Sequence, residues 1–82
     1  MTVLANRQAA LSIGSALTHL RVKQGLSIKQ LASNCHLPAP RLEQIEEGES
    51  LPSLTELEVL CRNLDTSAVD LIRIGIRIKE GA

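Results

Sequence analysis

Few side chains in this chain could do chemistry, and their spacing narrows the choice. Cys35 and His36 are adjacent, while His19 and Cys61 stand far from both. A protein zinc site needs paired ligand spacing, which this set lacks. Neighbouring side chains on a helix diverge, so His36 is badly placed to serve as a base for Cys35. No glycine-rich segment follows a strand and opens a helix, so no phosphate-cradling loop is expected. The expectation is a non-enzyme with no catalytic residue, no metal and no cofactor. What remains are polar groups suited to recognition. The Gln44 amide can both donate and accept, and the Arg41 guanidinium can make a two-pronged pair with a planar acceptor. Lys23 and Lys29 can neutralise phosphates without reading sequence, or can simply form solvated helix surface.

Composition limits the partners. The 82 residues, at 8.9 kDa, suffice for one core. Apolar residues make up 44% and charged residues 22%, which is globular rather than disordered composition. Phe, Tyr and Trp are absent, so the core must be aliphatic, and base-stacking or cation–π recognition loses its main contact. No apolar run is long enough to span a membrane. No basic-then-apolar leader follows Met1, and the two cysteines lack paired spacing; a cytoplasmic protein with reduced thiols is expected.

A formal net charge of zero conceals a strong polarity. Residues 1–42 carry five bases and no acid, giving +5; residues 43–70 sum to −7 and the last twelve to +2. Such asymmetry suits a basic face with a polyanionic partner, or a domain whose ends attract each other in a dimer.

The elements that must position these groups read as short helices. Ile13, Leu17 and Leu20 form a period-3.6 stripe with Ala10 and Ala16 beside it, and Gly25 ends that helix. Asn6 and Ser12 are both candidate caps for its start. Ser27 with Gln30 makes a capping box for a second helix, which stops near Cys35. Ala39 is expected to be extended and Pro40 to take the first helical position of a third helix, ending near Glu47 with Gly48 as its stop. Its inward residues are Leu42 and Ile45. Ser53 and Glu56 form another capping box, opening a helix whose inward stripe is Leu54, Leu57, Leu60/Cys61 and Leu64. Thr66/Ser67 with Asp70 begins a fifth. Beyond Ile74 the pattern fits either more helix or an edge strand, because residues 73–79 also alternate with period two.

Two helices joined by the tight turn at His36-Leu37 must cross steeply, which is a helix-turn-helix. Short turns alone are common in helical bundles. The longer string is more specific: Leu20-Arg21, Gly25-Leu26-Ser27, Gln30-Leu31-Ala32, Leu37, Leu42, Ile45-Glu46, Gly48 and Pro52-Ser53-Leu54. It closely resembles the phage-repressor (Cro-type, or xenobiotic-response-element) helix-turn-helix family of small transcriptional regulators, over about residues 13–72. The resemblance implies an all-α fold, a five-helix bundle with helix three as the recognition helix. It also implies a structural ion pair between Arg21 and Glu46, and base or phosphate contacts from Ala39, Pro40, Arg41 and Gln44. Gln30 would meet the phosphate backbone, or serve only as the cap partner of Ser27. Four features depart from the family pattern: Pro38 lacks a capping hydroxyl, His36 stands where glycine usually turns the chain, Ile28 replaces a polar residue, and Glu43, Glu47 and Glu49 bring negative charge toward the groove. Modest affinity is expected.

The implied division is residues 1–8 as an N-terminal tail, 9–74 as the helix-turn-helix domain, and 75–82 as a C-terminal tail or dimerisation extension. Val69, Ile72 and Ile76, with Leu71, Ile74 and Ile78, supply more aliphatic surface than one small domain covers, so this stripe is the expected dimer interface, or else helix five simply caps the core. Two functions then compete. One is a sequence-specific regulator binding double-stranded DNA as a homodimer on a palindromic operator. The other is a helix-turn-helix retained as a protein-interaction module, or an antitoxin, docking a basic partner through the acidic 43–58 segment.

Overall fold

The computed structural model describes residues 3–81, with side chains from 7 to 78. Helix α1 runs Val3–Lys23, α2 Ile28–Asn34, α3 Ala39–Glu46, α4 Leu54–Asn63 and α5 Ala68–Gly81. Each of the first four ends in the same way. The C′ residues Gly25, His36, Gly48 and Asp65 all have φ between 56° and 76°. The next amide in each case donates back to the carbonyl five residues earlier: Leu26 to Arg21, Leu37 to Ala32, Glu49 to Gln44 and Thr66 to Cys61, at 2.9–3.0 Å. These are Schellman closures, in which carbonyls orphaned at a helix end regain a donor. His36 adopts the left-handed turn that its position demands; Asp65 does so without any glycine signal in the sequence.

Helix starts are equally local. Ser27 accepts from the Gln30 amide while its own amide donates to the Gln30 side chain, and Ser53 and Glu56 repeat the arrangement at α4. At α5 the Ser67 hydroxyl accepts from the Asp70 amide. Helix α3 differs: its N-cap is Pro38, with no side-chain cap. Ala39 is the first helical residue and Pro40 the second, one position later than expected. The shift costs no hydrogen bond, because amides in the first turn have no intrahelical acceptor.

The core consists of Ala16 and Leu17 from α1, Leu31, Ala32 and Cys35 from the α2 region, Leu42 and Ile45 from α3, Leu60, Cys61 and Leu64 from the α4 region, and Leu71 from α5. Leu54, expected inside, is 74% exposed. It is the first residue of α4, and its face turns away from the stripe that begins at Leu57. Cys35 and Cys61 are unbridged, and burial raises the pKa of both thiols.

The structure extends helix at both ends. Residues 3–8, read as a tail, are helical and continue directly into α1; residues 1–2 and 82 lie outside the described part. Residues 75–79 are helix, and no strand occurs among the described residues. The alternating isoleucines resolve into two helical faces. Ile74 and Ile78 are half-buried, whereas Val69, Ile72 and Ile76 are 45–60% exposed. Gly75 lets α5 approach α1, since a Cβ there would sit 2.4 Å from the Ser12 carbonyl oxygen. Gly14 does the same where α1 crosses the end of α3: its Cβ would lie 2.5 Å from the Glu46 carbonyl oxygen.

Candidate nucleic-acid interface

The crossing at Gly14 determines what α3 can present. With Leu42 and Ile45 fully buried, the opposite side of α3 carries Pro40, Glu43, Gln44 and Glu47, all exposed. These fall at i, i+3, i+4 and i+7, a single helical face. A helix with its side chains is about 10–12 Å across, matching a major groove about 12 Å wide.

The orientation of that face is held by a hydrogen-bonded carboxylate. Arg21 Nε donates to Glu46 Oε2 at 2.8 Å and Nη2 to Oε1 at 3.0 Å, a two-pronged pair with side chains 13% and 5% exposed. Arg21 Nη1 also donates to the Leu26 carbonyl at 2.8 Å, which ties in the loop before α2. The Thr18 hydroxyl lies 2.9 Å from Glu46 Oε1 and 3.0 Å from the Gly14 carbonyl. One cluster therefore joins α1, the α1–α2 loop and the end of α3. The Gln24 amide adds a second tie, donating to the Leu64 carbonyl at 2.9 Å across the ends of α1 and α4.

Arg41 is not on the exposed face. Its Nε and Nη2 donate to Glu56 Oε2 and Oε1 at 2.9 and 2.8 Å, Nη1 donates to Ser50 Oγ at 2.8 Å, and Nη2 reaches the Leu51 carbonyl at 3.1 Å. The side chain lies back over the α3–α4 loop, half-buried. Glu56 Oε1 also accepts from the Ser53 amide at 2.8 Å, so one carboxylate closes the α4 cap and clamps α3 to it. The Arg41 hydrogen bond, with help from the Ser53 amide, holds the Glu56 pKa down at about 2, well below the ordinary 4.5.

The remaining expected contacts divide. Lys23, Lys29, Gln30, Pro40 and Gln44 are exposed, although the Gln30 side-chain oxygen is already accepting from the Ser27 amide at 2.8 Å. Ala39 is half-buried and packs against the core, so its methyl is only partly presented. Arg21 and Arg41, two of the five bases in the acid-free half, are paired with acids. The basic surface there reduces to Arg7, Lys23 and Lys29. The capping box had already accounted for Glu56, and nothing in local sequence marks its second partner fifteen residues away. Among the described residues, no group of three His, Cys, Asp or Glu is gathered to hold a metal, and no helix is long and apolar enough to cross a membrane.

A helix-turn-helix domain family model matches residues 12–73, three-quarters of the chain. The chain belongs to the helix-turn-helix domain family. Solved structures with the same fold include the clp gene regulator ClgR from Corynebacterium glutamicum, at 24% identity and TM-score 0.79, covering 83% of this chain and 72% of that one. The restriction-modification controller protein C.AhdI from Aeromonas hydrophila is 29% identical, with TM-score 0.72, covering 76% of this chain and 94% of that one. The competence regulator ComR from Streptococcus vestibularis is 35% identical, with TM-score 0.73, over 79% of this chain but 22% of that one. Curated proteins give no match. Within this helix-turn-helix domain α2 and α3 are the motif, and the Arg21–Glu46 cluster fixes the angle at which α3 is presented.

Proposed function

We propose that this helix-turn-helix domain is a sequence-specific, DNA-binding transcriptional regulator that acts as a homodimer on a palindromic operator. The observation that carries the reading is the exposed Pro40–Glu43–Gln44–Glu47 face on a helix anchored from behind by Arg21–Glu46. Gln44 reads adenine, Pro40 and the exposed part of Ala39 meet thymine methyls, and Lys23, Lys29 and Gln30 contact flanking phosphates. Val69, Ile72 and Ile76 form an apolar stripe that meets its symmetry mate, so that two copies of α3 face successive turns of one duplex face. The similar structures described above, a clp gene regulator and a restriction-modification controller protein, support this reading.

Fluorescence anisotropy with a fragment recovered from a random duplex pool tests it. Two lysines per protomer predict that log affinity falls with log salt at a slope of roughly −4 for the dimer. Flat, undetectable binding to every fragment rejects the reading. Ile72→Asp is expected to give monomers in sedimentation and to weaken DNA binding.

A second reading draws on a separate observation: Glu43, Glu47 and Glu49 are exposed around the end of α3, while Arg41 is turned away. Such a surface suits a protein-interaction module or antitoxin docking a basic partner through the 43–58 segment. Gln44→Ala separates the two. Loss of DNA binding with intact folding supports the regulator, whereas a protein pull-down abolished by Glu43→Gln/Glu47→Gln without any DNA defect supports the module.

A further inference from the structure

The recognition helix holds one guanidinium, and four of its five N–H donors are engaged within the domain. Arg41 makes four hydrogen bonds at 2.8–3.1 Å, two of them to both oxygens of Glu56 in a fork that matches a carboxylate as well as it would match guanine. Glu56 is itself fixed by the α4 cap, through the Ser53 amide at 2.8 Å. To reach a base, Arg41 would have to leave Glu56, Ser50 and Leu51 together. On the face that α3 does expose, the side chains able to hydrogen-bond are Glu43, Gln44 and Glu47; the carboxylates only accept, and the amide both accepts and donates.

We propose that Glu56 sets the base preference of this domain by withdrawing Arg41, so that the half-site is read through the exocyclic amino groups of adenine and cytosine rather than through guanine. The inference rests on the DNA-binding reading above and deepens it. Gln44 takes adenine N6 and N7, and Glu43, one residue away on the same face, accepts from cytosine N4. A carboxylate beside phosphates lowers affinity for every sequence, and an amino donor in register offsets that repulsion only at the cognate base. Glu43 thus discriminates by rejecting most sites. Glu56 acts through Arg41 and touches no base, so it is a positioning residue.

The test is selection from a random duplex pool with wild type, Arg41→Lys, Glu43→Gln and Glu56→Gln, followed by anisotropy on the winning fragments. Glutamine at position 56 can still close the capping box with Ser53, so the fold is retained, and thermal unfolding checks this directly. Wild type should enrich adenine and cytosine on the strand facing α3, and Arg41→Lys should leave that profile unchanged. Glu43→Gln should erase the cytosine preference. Glu56→Gln should release Arg41, add a guanine to the profile, and bind the guanine-containing site about tenfold more tightly than wild type does. A wild-type profile containing a guanine that Arg41→Lys abolishes overturns the inference and leaves the DNA reading standing, as does a Glu56→Gln profile identical to that of wild type. No enrichment by any of the four proteins overturns both.

Discussion

Two arginine–glutamate pairs flank α3, built from the same groups with nearly the same distances but placed in different surroundings. Arg21–Glu46 lies between α1 and the end of α3, with the glutamate 5% exposed and Thr18 and the Leu26 carbonyl completing the cluster. Arg41–Glu56 lies over the α3–α4 loop at 27% and 20% exposure, open to solvent at its edge. An ion pair taken out of water makes each partner dependent on the other, because a lone buried charge costs several kcal/mol. At the surface, water and salt stand in for a lost partner, so the same geometry contributes little to stability. The inner pair therefore sets the angle of α3. The outer one decides which side chains α3 shows.

The largest effect should come from breaking the inner pair alone. Arg21→Ala leaves Glu46 buried with only Thr18, and a loss of about 3 kcal/mol is expected in urea unfolding. The double variant Arg21→Met/Glu46→Leu should recover much of it, since apolar replacement removes the unpaired charge. Gly14→Ala attacks the same region through sterics. Its new Cβ would meet the Glu46 and Ile45 carbonyl oxygens at 2.5 and 2.6 Å, pushing α3 away from α1. A loss of about 2 kcal/mol is expected, partly offset by alanine's better helix propensity. Arg41→Ala should cost only about 1 kcal/mol, and equal losses from Arg41→Ala and Arg21→Ala would erase the contrast.

The smallest effect is a pH dependence. The Glu56 carboxyl is held at about 2 instead of 4.5 in the folded chain. A depressed folded pKa means that its contribution is complete above about pH 4.5 and fades as pH falls toward 2. Its size, discounted for solvent, is about 0.5 kcal/mol. In acid titrations of stability, Glu56→Gln should flatten that part of the curve while leaving Arg21→Ala additive to it.

Much of the fold was legible because its signals are local. The capping boxes at Ser27–Gln30 and Ser53–Glu56, and the stops at Gly25, His36 and Gly48, each involve residues a few positions apart, whose hydrogen bonds form within one turn. The buried stripe of Leu17, Leu31, Leu42, Ile45 and Leu60 follows from helical periodicity. Local patterns left two readings open where two periods coincide. Isoleucine at 72, 74, 76 and 78 alternates like a strand, yet also supplies two opposite helical faces, and packing against Ser12 at Gly75 selects the helix. Leu54 was misassigned because a first-turn residue can fit a stripe whose face the helix does not bury.

The candidate site was less legible. Glu43 and Gln44 are exposed because their neighbours Leu42 and Ile45 must be buried, and alternation of residue types along one helix was enough to place them. The same reading grouped Arg41 with them, whereas the structure turns it back over the α3–α4 loop. As a residue type it could equally read guanine, bind phosphate or pair with an acid, and the acid it meets is fifteen positions off, brought near only when the α3–α4 loop turns the first turn of α4 back toward α3. Hydrogen-bonded caps and apolar periodicity act over one or two turns and are written into adjacent letters. Which charge neutralises which depends on distances through space, and those exist only after the helices have docked.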